Sequence, residues 1–218
     1  MTQLLKSTFL ILTALFPIVN PLGDAPIFLS LTHYYSQTER KILSRRIALN
    51  SIVLIVVSYF IGTHILAFFG ISLPVVQVGG GLVVAATGWA LLKQKDEDTT
   101  KADVHRSVGA QDLFSKAFYP LTLPLTVGPG SISVAITLGA NEPHRDHLII
   151  FSVVGAVIGS VLIGASVYLC YAFADRLAQV LGETGMSVIM RLSSFLLVCI
   201  GVQIIWNGVS TLLKSVVH

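Results

Sequence analysis

Phe16-Pro17-Ile18-Val19-Asn20-Pro21-Leu22-Gly23-Asp24-Ala25-Pro26 sets three prolines, a glycine, an amide and an acid inside an otherwise apolar segment. Proline has no N–H and its ring clashes with the carbonyl four residues back, so Pro17, Pro21 and Pro26 do not all fit one regular helix. The residue before each proline is also biased toward extended backbone. At membrane depth an interruption is tolerated only where the freed backbone is buried in protein or lines a wet cavity. The stretch therefore predicts a membrane helix interrupted for a purpose, and the rest of the chain is read outward from it.

The setting is a membrane. Of 218 residues 54% are hydrophobic and 11% charged, with a mean hydropathy of +0.80; a soluble domain carries about 25% charged residues. The formal charge of +3 reflects loop arginines and lysines, and no basic face suited to nucleic acid is found. Cys170 and Cys199 lie in apolar runs and read as small hydrophobes without a disulfide. Lys6 followed by an apolar run to Val19 has the look of a signal peptide. Pro26 directly after Ala25 disfavours cleavage, and the recurrence of the same interruption later places it in the mature fold.

With a bilayer core of about 30 Å and about 20 residues per helical span, six spans are expected, over residues 4–32, 47–69, 75–92, 116–139, 148–174 and 186–213. Residues 33–46 form a polar connection in which Ser36 and Glu39 have the spacing of a helix capping box. Residues 70–74 make a short turn, and 175–185 an amphipathic connection. The one long hydrophilic connection, 93–115, is expected to be cytoplasmic and separates a unit over 1–92 from a unit over 116–218. In the fifth span Gly155, Gly159, Ser160 and Gly164 have the small-residue spacing that lets helix backbones approach closely. Lys6, Arg145 and Lys214 fall on one side, and the other eleven of the 14 Lys and Arg residues on the other (14 − 3 = 11). By the positive-inside rule both termini face away from the cytoplasm of a multi-pass inner-membrane protein.

The interruption recurs. Phe16-Pro17-Ile18 and Pro21-Leu22 match Tyr119-Pro120-Leu121 and Pro124-Leu125 at an offset of 103 (119 − 16; 124 − 21). A second alignment, at an offset of 114 (191 − 77), pairs Gln77 with Arg191 and Leu82-Val83-Val84 with Leu196-Leu197-Val198. Three spans per half is an odd number, so the second half enters the membrane in the opposite sense. The expected fold is an all-α membrane protein of six transmembrane helices, built as two inverted three-helix repeats with helices 1 and 4 discontinuous. Secondary transporters use this architecture with the substrate site between the interrupted helices.

A helix that restarts presents unpaired N–H groups and the positive end of its dipole. Thr126, Gly128, Pro129, Gly130 and Ser131 precede or open such a restart and suit a carboxylate. Asn20, Pro21, Gly23 and Asp24 form the matching half, where carbonyls near Val19, Asn20 and Leu123 suit an ammonium group or a cation. Asp24 alone of the 11 acidic residues falls inside an apolar segment, either as a cap on the restarting helix or as a coupling residue. Gln77 and Arg191 are candidates for coupling or gating, although an arginine near a helix end also snorkels. His64 reads as a hydrogen-bonded packing residue. His144 and His147 lack an evident third metal ligand, so no metal is expected. Gly79-Gly80-Gly81 reads as close helix packing rather than a nucleotide fingerprint, and Asn50, Ser51, Ser152, Asn207 and Ser210 as interhelical hydrogen-bonding groups.

Asn20-Pro21-Leu22-Gly23-x-x-Pro26-Ile27-Phe28-Leu29-Ser30-Leu31, Phe69-Gly70-Ile71-Ser72, Pro120-Leu121-x-x-Pro124-Leu125-x-x-Gly128-Pro129-Gly130-x-Ile132 and Arg191-Leu192-x-x-Phe195-Leu196-Leu197-Val198-Cys199 together resemble the MarC family of bacterial and archaeal membrane proteins. The resemblance covers nearly the whole chain. It implies a transporter of small neutral amino acids, similar at a distance to the LysE exporter superfamily. Asp24 stands where relatives often carry Asn, Gln77 where they often carry a basic residue and Ser194 where they often carry Gly.

The leading expectation is thus a secondary transporter of small neutral amino acids such as glycine, alanine or serine, coupled to protons or sodium and working by alternating access. The alternatives are an exporter of another small metabolite or drug, or a noncatalytic membrane scaffold. An enzyme is not expected: the one intramembrane acid has no partner acid, nucleophile or metal motif beside it. No cofactor is expected beyond the coupling ion. The expected partners are a small zwitterionic substrate, the lipid bilayer and, through the glycine faces, a second copy of the chain. A C-terminal fusion to a reporter active only in the cytoplasm should stay silent; strong activity would reverse the assigned orientation.

Overall fold

The computed structural model describes residues 2–93, 115–141 and 146–217, and every described segment with regular backbone is helical. The helices are α1 (Thr2–Val19), α2 (Pro21–Leu31), α3 (Gln37–Phe68), α4 (Leu73–Lys93), an irregular wide-turned stretch (Ala117–Thr126), α5 (Pro129–Ala140), α6 (Asp146–Ala172) and α7 (Ala174–Val217). Among the described residues five helical segments are long and apolar enough to cross a membrane, and six if Ala117–Thr126 and Pro129–Ala140 count as one bent span. The expected connection over 93–115 and the His144 position lie essentially outside the described residues.

One boundary differs from expectation. The second span was expected from residue 47, but α3 begins at Gln37. The Ser36 hydroxyl accepts from the Glu39 N–H at 3.3 Å and the Glu39 carboxylate accepts from the Ser36 N–H at 2.8 Å, so the capping box starts the helix there. No proline follows to stop it, so the polar residues 37–46 become its first turns. Residues 175–185 form the expected connection before a span that begins at Thr184, and they do so as a helix. Only Gly182, at φ 64° and ψ 177°, leaves the helix inside α7, in a region a side chain would disfavour.

Arg40 joins these parts. It donates to both carboxylate oxygens of Asp175, at 3.1 and 2.9 Å, and to the Thr32 carbonyl at 3.4 Å. One guanidinium thus links the end of α2, the first turn of α3 and the first turn of α7. A planar fork suits that task better than an ammonium group.

Small residues set the distances between helices. Gly155 and Gly159 of α6 face the Leu4 and Thr8 carbonyls of α1, with the Thr8 hydroxyl donating to the Gly155 carbonyl at 3.1 Å, while Gly164 faces Ile52 and the Ala48 carbonyl of α3. The predicted small-residue spacing therefore serves two crossings. Along the antiparallel pair α4 and α7, Gly81 faces the Gly201 carbonyl and Gly88 the Ser194 carbonyl. Of the three successive glycines, Gly81 meets α7, Gly80 meets Ser133 of α5, and Gly79 meets nothing within 4 Å. The buried centre runs from Ile11, Leu15 and Val19 of α1 through Phe28, Leu43, Ile47 and Ile55 to Ile163, Val167 and Tyr171 of α6.

Among the groups expected to bond between helices, Asn50 donates to the Thr122 hydroxyl at 3.4 Å. Ser51 and Ser210 instead bond carbonyls of their own helices, Ile47 and Asn207, and Asn207 accepts from Gln203 one turn away. A hydroxyl on a membrane helix reaches the carbonyl of its own preceding turn with no change of packing. His64 is exposed and makes no hydrogen bond with another described residue, contrary to the packing role expected of it. Cys170 and Cys199 are both free thiols.

The close crossing makes a testable contrast. A Cβ on Gly201 would overlap the Ala85 backbone, whereas Gly79 has open space. Gly201→Ala should lower stability by about 1–3 kcal/mol through overpacking, and Gly79→Ala should leave it unchanged or raise it by about 0.5–1 kcal/mol through helix propensity. Thermal unfolding of the two variants in detergent checks the order.

Candidate functional site

Both proline-rich stretches leave the helix, but in different ways. In the first, one residue departs: Asn20 adopts φ 46° and ψ 53°, a left-handed conformation that asparagine tolerates better than most residues. Its carboxamide oxygen accepts from the Gly23 N–H at 3.3 Å, and its carbonyl accepts from the Asp24 N–H at 3.0 Å. Pro21 takes the first helical position, where its missing N–H costs nothing. The helix cap is therefore Asn20 and not Asp24, which lies in the first turn of α2. Leu4–Leu31 still runs as one span of 28 residues.

The second interruption is larger. Between Ala117–Thr126 and Pro129–Ala140 the axis bends by 69°. Within the first piece Tyr119 (φ −126°, ψ 126°) and Leu123 (φ −108°, ψ 123°), each preceding a proline, are extended, the geometry a following proline favours. Hydroxyls fill part of what the backbone loses: Thr122 donates to the Ala117 carbonyl at 2.6 Å and Thr126 to the Leu121 carbonyl at 2.8 Å. Gly128, extended at φ −89° and ψ 179°, caps α5, and Pro129 occupies its first position. The next two N–H groups, of Gly130 and Ser131, have no acceptor within the helix by its geometry.

A cavity of about 310 Å³ lies where these pieces meet. Asp24 lines it from α2, Thr126 and Gly128 from the bend, Pro129, Gly130 and Ser131 from α5, Val84 and Thr87 from α4, and Leu197 from α7. The volume is at the lower end of the range for small-molecule sites. Asp24 is 5% exposed and Ser131 2%. The Asp24 carboxylate accepts no hydrogen bond from a described residue, and among the described residues no other side chain lining the cavity is ionisable. Opposite poles thus share one wall-to-wall space: a carboxyl group from α2 and the positive end of α5.

Asn20, Pro21 and Gly23 do not line the cavity; they form the cap that sets where α2 begins and hence where Asp24 sits. Gln77 and Arg191 are not brought together. Gln77 packs beside Gly208 and donates to the Thr137 hydroxyl at 3.4 Å, whereas Ser194 sits at the level of Gly88, so exposed Arg191 lies toward the far end of the α4–α7 pair. Their alignment relates ends of an antiparallel pair, which is why equal roles in sequence do not become neighbours in space. Among the described residues no three His, Cys, Asp or Glu groups cluster as a metal site.

Tyr171 was not anticipated. Fully buried on α6, it shares a 3.0 Å hydrogen bond with the Thr126 hydroxyl and stacks on Phe28 with ring centroids 4.5 Å apart. It braces the bend against α2 from behind the cavity. A tyrosine in an apolar span carries a weak signal of this kind, since a buried phenol needs a partner, but only the packing of α6 names Thr126.

The description "MarC family integral membrane protein" matches residues 5–213. The chain belongs to the MarC family. It is 31% identical to the inner membrane protein MarC of Salmonella arizonae and to that of Salmonella typhimurium over 219 residues, and 32% identical to that of an Escherichia coli strain over 223 residues, each alignment covering 99% of both chains. No solved structure matches. Family membership and the apolar helices together make this a multi-pass inner-membrane protein.

The cap offers a local test in this MarC-family fold. Asn20→Ala should destabilise by about 1 kcal/mol, and Asn20→Gly, which tolerates the left-handed backbone, by only a few tenths. Melting temperatures in detergent should fall in that order, and Gly23→Ala should behave like Asn20→Ala, because its Cβ would overlap the capping carboxamide.

Proposed function

We propose that this protein is a secondary transporter of small neutral amino acids, such as glycine, alanine or serine, working by alternating access around the cavity between α2 and α5. The observation that carries this is the meeting of two opposite poles in one small cavity: the buried carboxyl of Asp24 and the free N–H groups opening α5. An α-amino acid has a matching pair of charges. Its carboxylate would accept from the Gly130 and Ser131 N–H groups, and its ammonium would face Asp24, with the Thr126 and Ser131 hydroxyls beside them.

The transport cycle rests on two inverted three-helix repeats, 1–92 and 116–218, joined by a cytoplasmic connection, with both termini on the opposite side. The crossing of α4 and α7 supports this. Gly81 faces Gly201 and Gly88 faces Ser194, so the two helices run antiparallel, the relation that inversion requires of corresponding third helices. The two interruptions, one residue in the first half and a 69° bend in the second, then correspond to one element in two conformations, as alternating access between related halves requires. The protein is a carrier rather than an enzyme, and the energy source is a proton or sodium gradient.

Gradient-dependent flux of labelled glycine, alanine or serine into proteoliposomes should be observed; absence of flux across the whole panel would dismiss the assignment. Gly130→Ala would drive a Cβ into the Val84 side chain and should reduce transport by roughly tenfold to a hundredfold, the usual consequence of displacing a binding element by about 1 Å.

A further inference from the structure

We propose that a proton and the substrate's ammonium group compete for Asp24, so that the protein exchanges one proton for one amino acid and, under an inward proton gradient, exports its substrate. This rests on the transporter assignment above and extends it to coupling, stoichiometry and direction.

The argument begins with isolation. Asp24 is 5% exposed, has no hydrogen-bond or ion-pair partner among the described residues and is the only ionisable side chain lining the cavity. An ionised carboxylate so placed has no formal counter-charge beside it, and burial disfavours it. A proton on the carboxyl removes that burden, and in the proposed cycle the empty carrier holds one there. Beyond the dipole of α5, the described elements around it supply no formal counter-charge. Neither α5 nor the cavity-facing turns of α4 carry a titratable side chain. On α6 the nearest is Tyr171, whose hydroxyl is already engaged with Thr126. Arg191 of α7 is exposed and Arg40 is held by Asp175.

An arriving ammonium group needs an anion, and the cavity has one candidate. Binding breaks the carboxyl O–H bond, the proton leaves to water on the open side, and the ammonium–carboxylate ion pair forms in its place. Symport of a proton with the substrate would need a second acid to hold that proton beside the ion pair, and the cavity lining contains none. Asp24 is thus neutralised by one ligand or the other, and only these two states, protonated or ion-paired, cross readily. The substrate carboxylate rests on the opening of α5, so the exchange moves one positive charge inward for each zwitterion carried out.

Isothermal titration of the purified full-length protein with glycine, alanine and serine, in buffers of different ionisation enthalpy from about pH 5 to about pH 9, tests this. Binding should release one proton, and Kd should weaken by about tenfold per pH unit at the acidic end. Asp24→Asn should bind without proton release and without that slope, and Asp24→Glu should restore both. Because the wild-type slope is decisive alone, a poorly folded variant does not spoil the test. Proton release should also appear as acidification inside proteoliposomes during glycine efflux. Binding with no proton release, with proton uptake, or with displacement of sodium instead would overturn the competition while leaving the transporter assignment intact. Failure of all three amino acids to bind would remove both.

Discussion

A backbone N–H or carbonyl without a partner costs several kcal/mol in hydrocarbon, and this chain places prolines where that cost falls twice. Everything around the cavity answers to it. At the first interruption one left-handed asparagine closes the gap by accepting from the Gly23 N–H, and the helix resumes with Pro21, which has no N–H to lose. At the second the Thr122 and Thr126 hydroxyls take up carbonyls five residues back, and Tyr171 holds Thr126 in turn. What remains unfilled is the opening of α5, and it faces the cavity.

The second constraint is how near the helices can come. Apolar side chains gain little by leaving lipid for protein, so packing in the bilayer depends on surfaces that fit closely. Glycine supplies that fit at the α1–α6, α3–α6 and α4–α7 crossings, and also where Gly139 meets the Tyr59 carbonyl between α3 and α5. These contacts bring Val84 of α4 against Gly130 of α5 and place Val84 and Leu197 of α7 in the lining of the cavity. At one end the Arg40–Asp175 pair ties both halves of the chain together. Cavity and packing therefore share residues: Gly130 lines the cavity at the opening of α5 and at the same time fits against Val84.

Several features were legible because they depend on residues close in sequence. The interruptions, the capping box at Ser36 and Glu39, and the small-residue face of α6 belong to this group. The errors have a common source. Residues 37–46 are polar enough for a loop, yet nothing in them stops a helix, and Arg40 and Asp175 find each other across 135 positions. Of the two roles open to Asp24, the cap was suggested by Pro26 following it, but the restart comes at Pro21, one turn earlier. Gln77 and Arg191 align as equivalents, but in an antiparallel pair equivalent residues lie at opposite ends.

The sequence by itself determined that the chain lives in a bilayer, that its helices are interrupted twice at matching proline clusters, and that a lone acid sits at one of them; composition and proline stereochemistry are local and survive any packing. Only the tertiary structure decided that Asp24 and the opening of α5 share a cavity while Asn20, Pro21 and Gly23 stand behind it as a cap. It also brought in Tyr171, Val84, Thr87 and Leu197. The physical reason is that a cavity has no local code: it is the space left when helices distant in sequence pack as closely as their glycines allow.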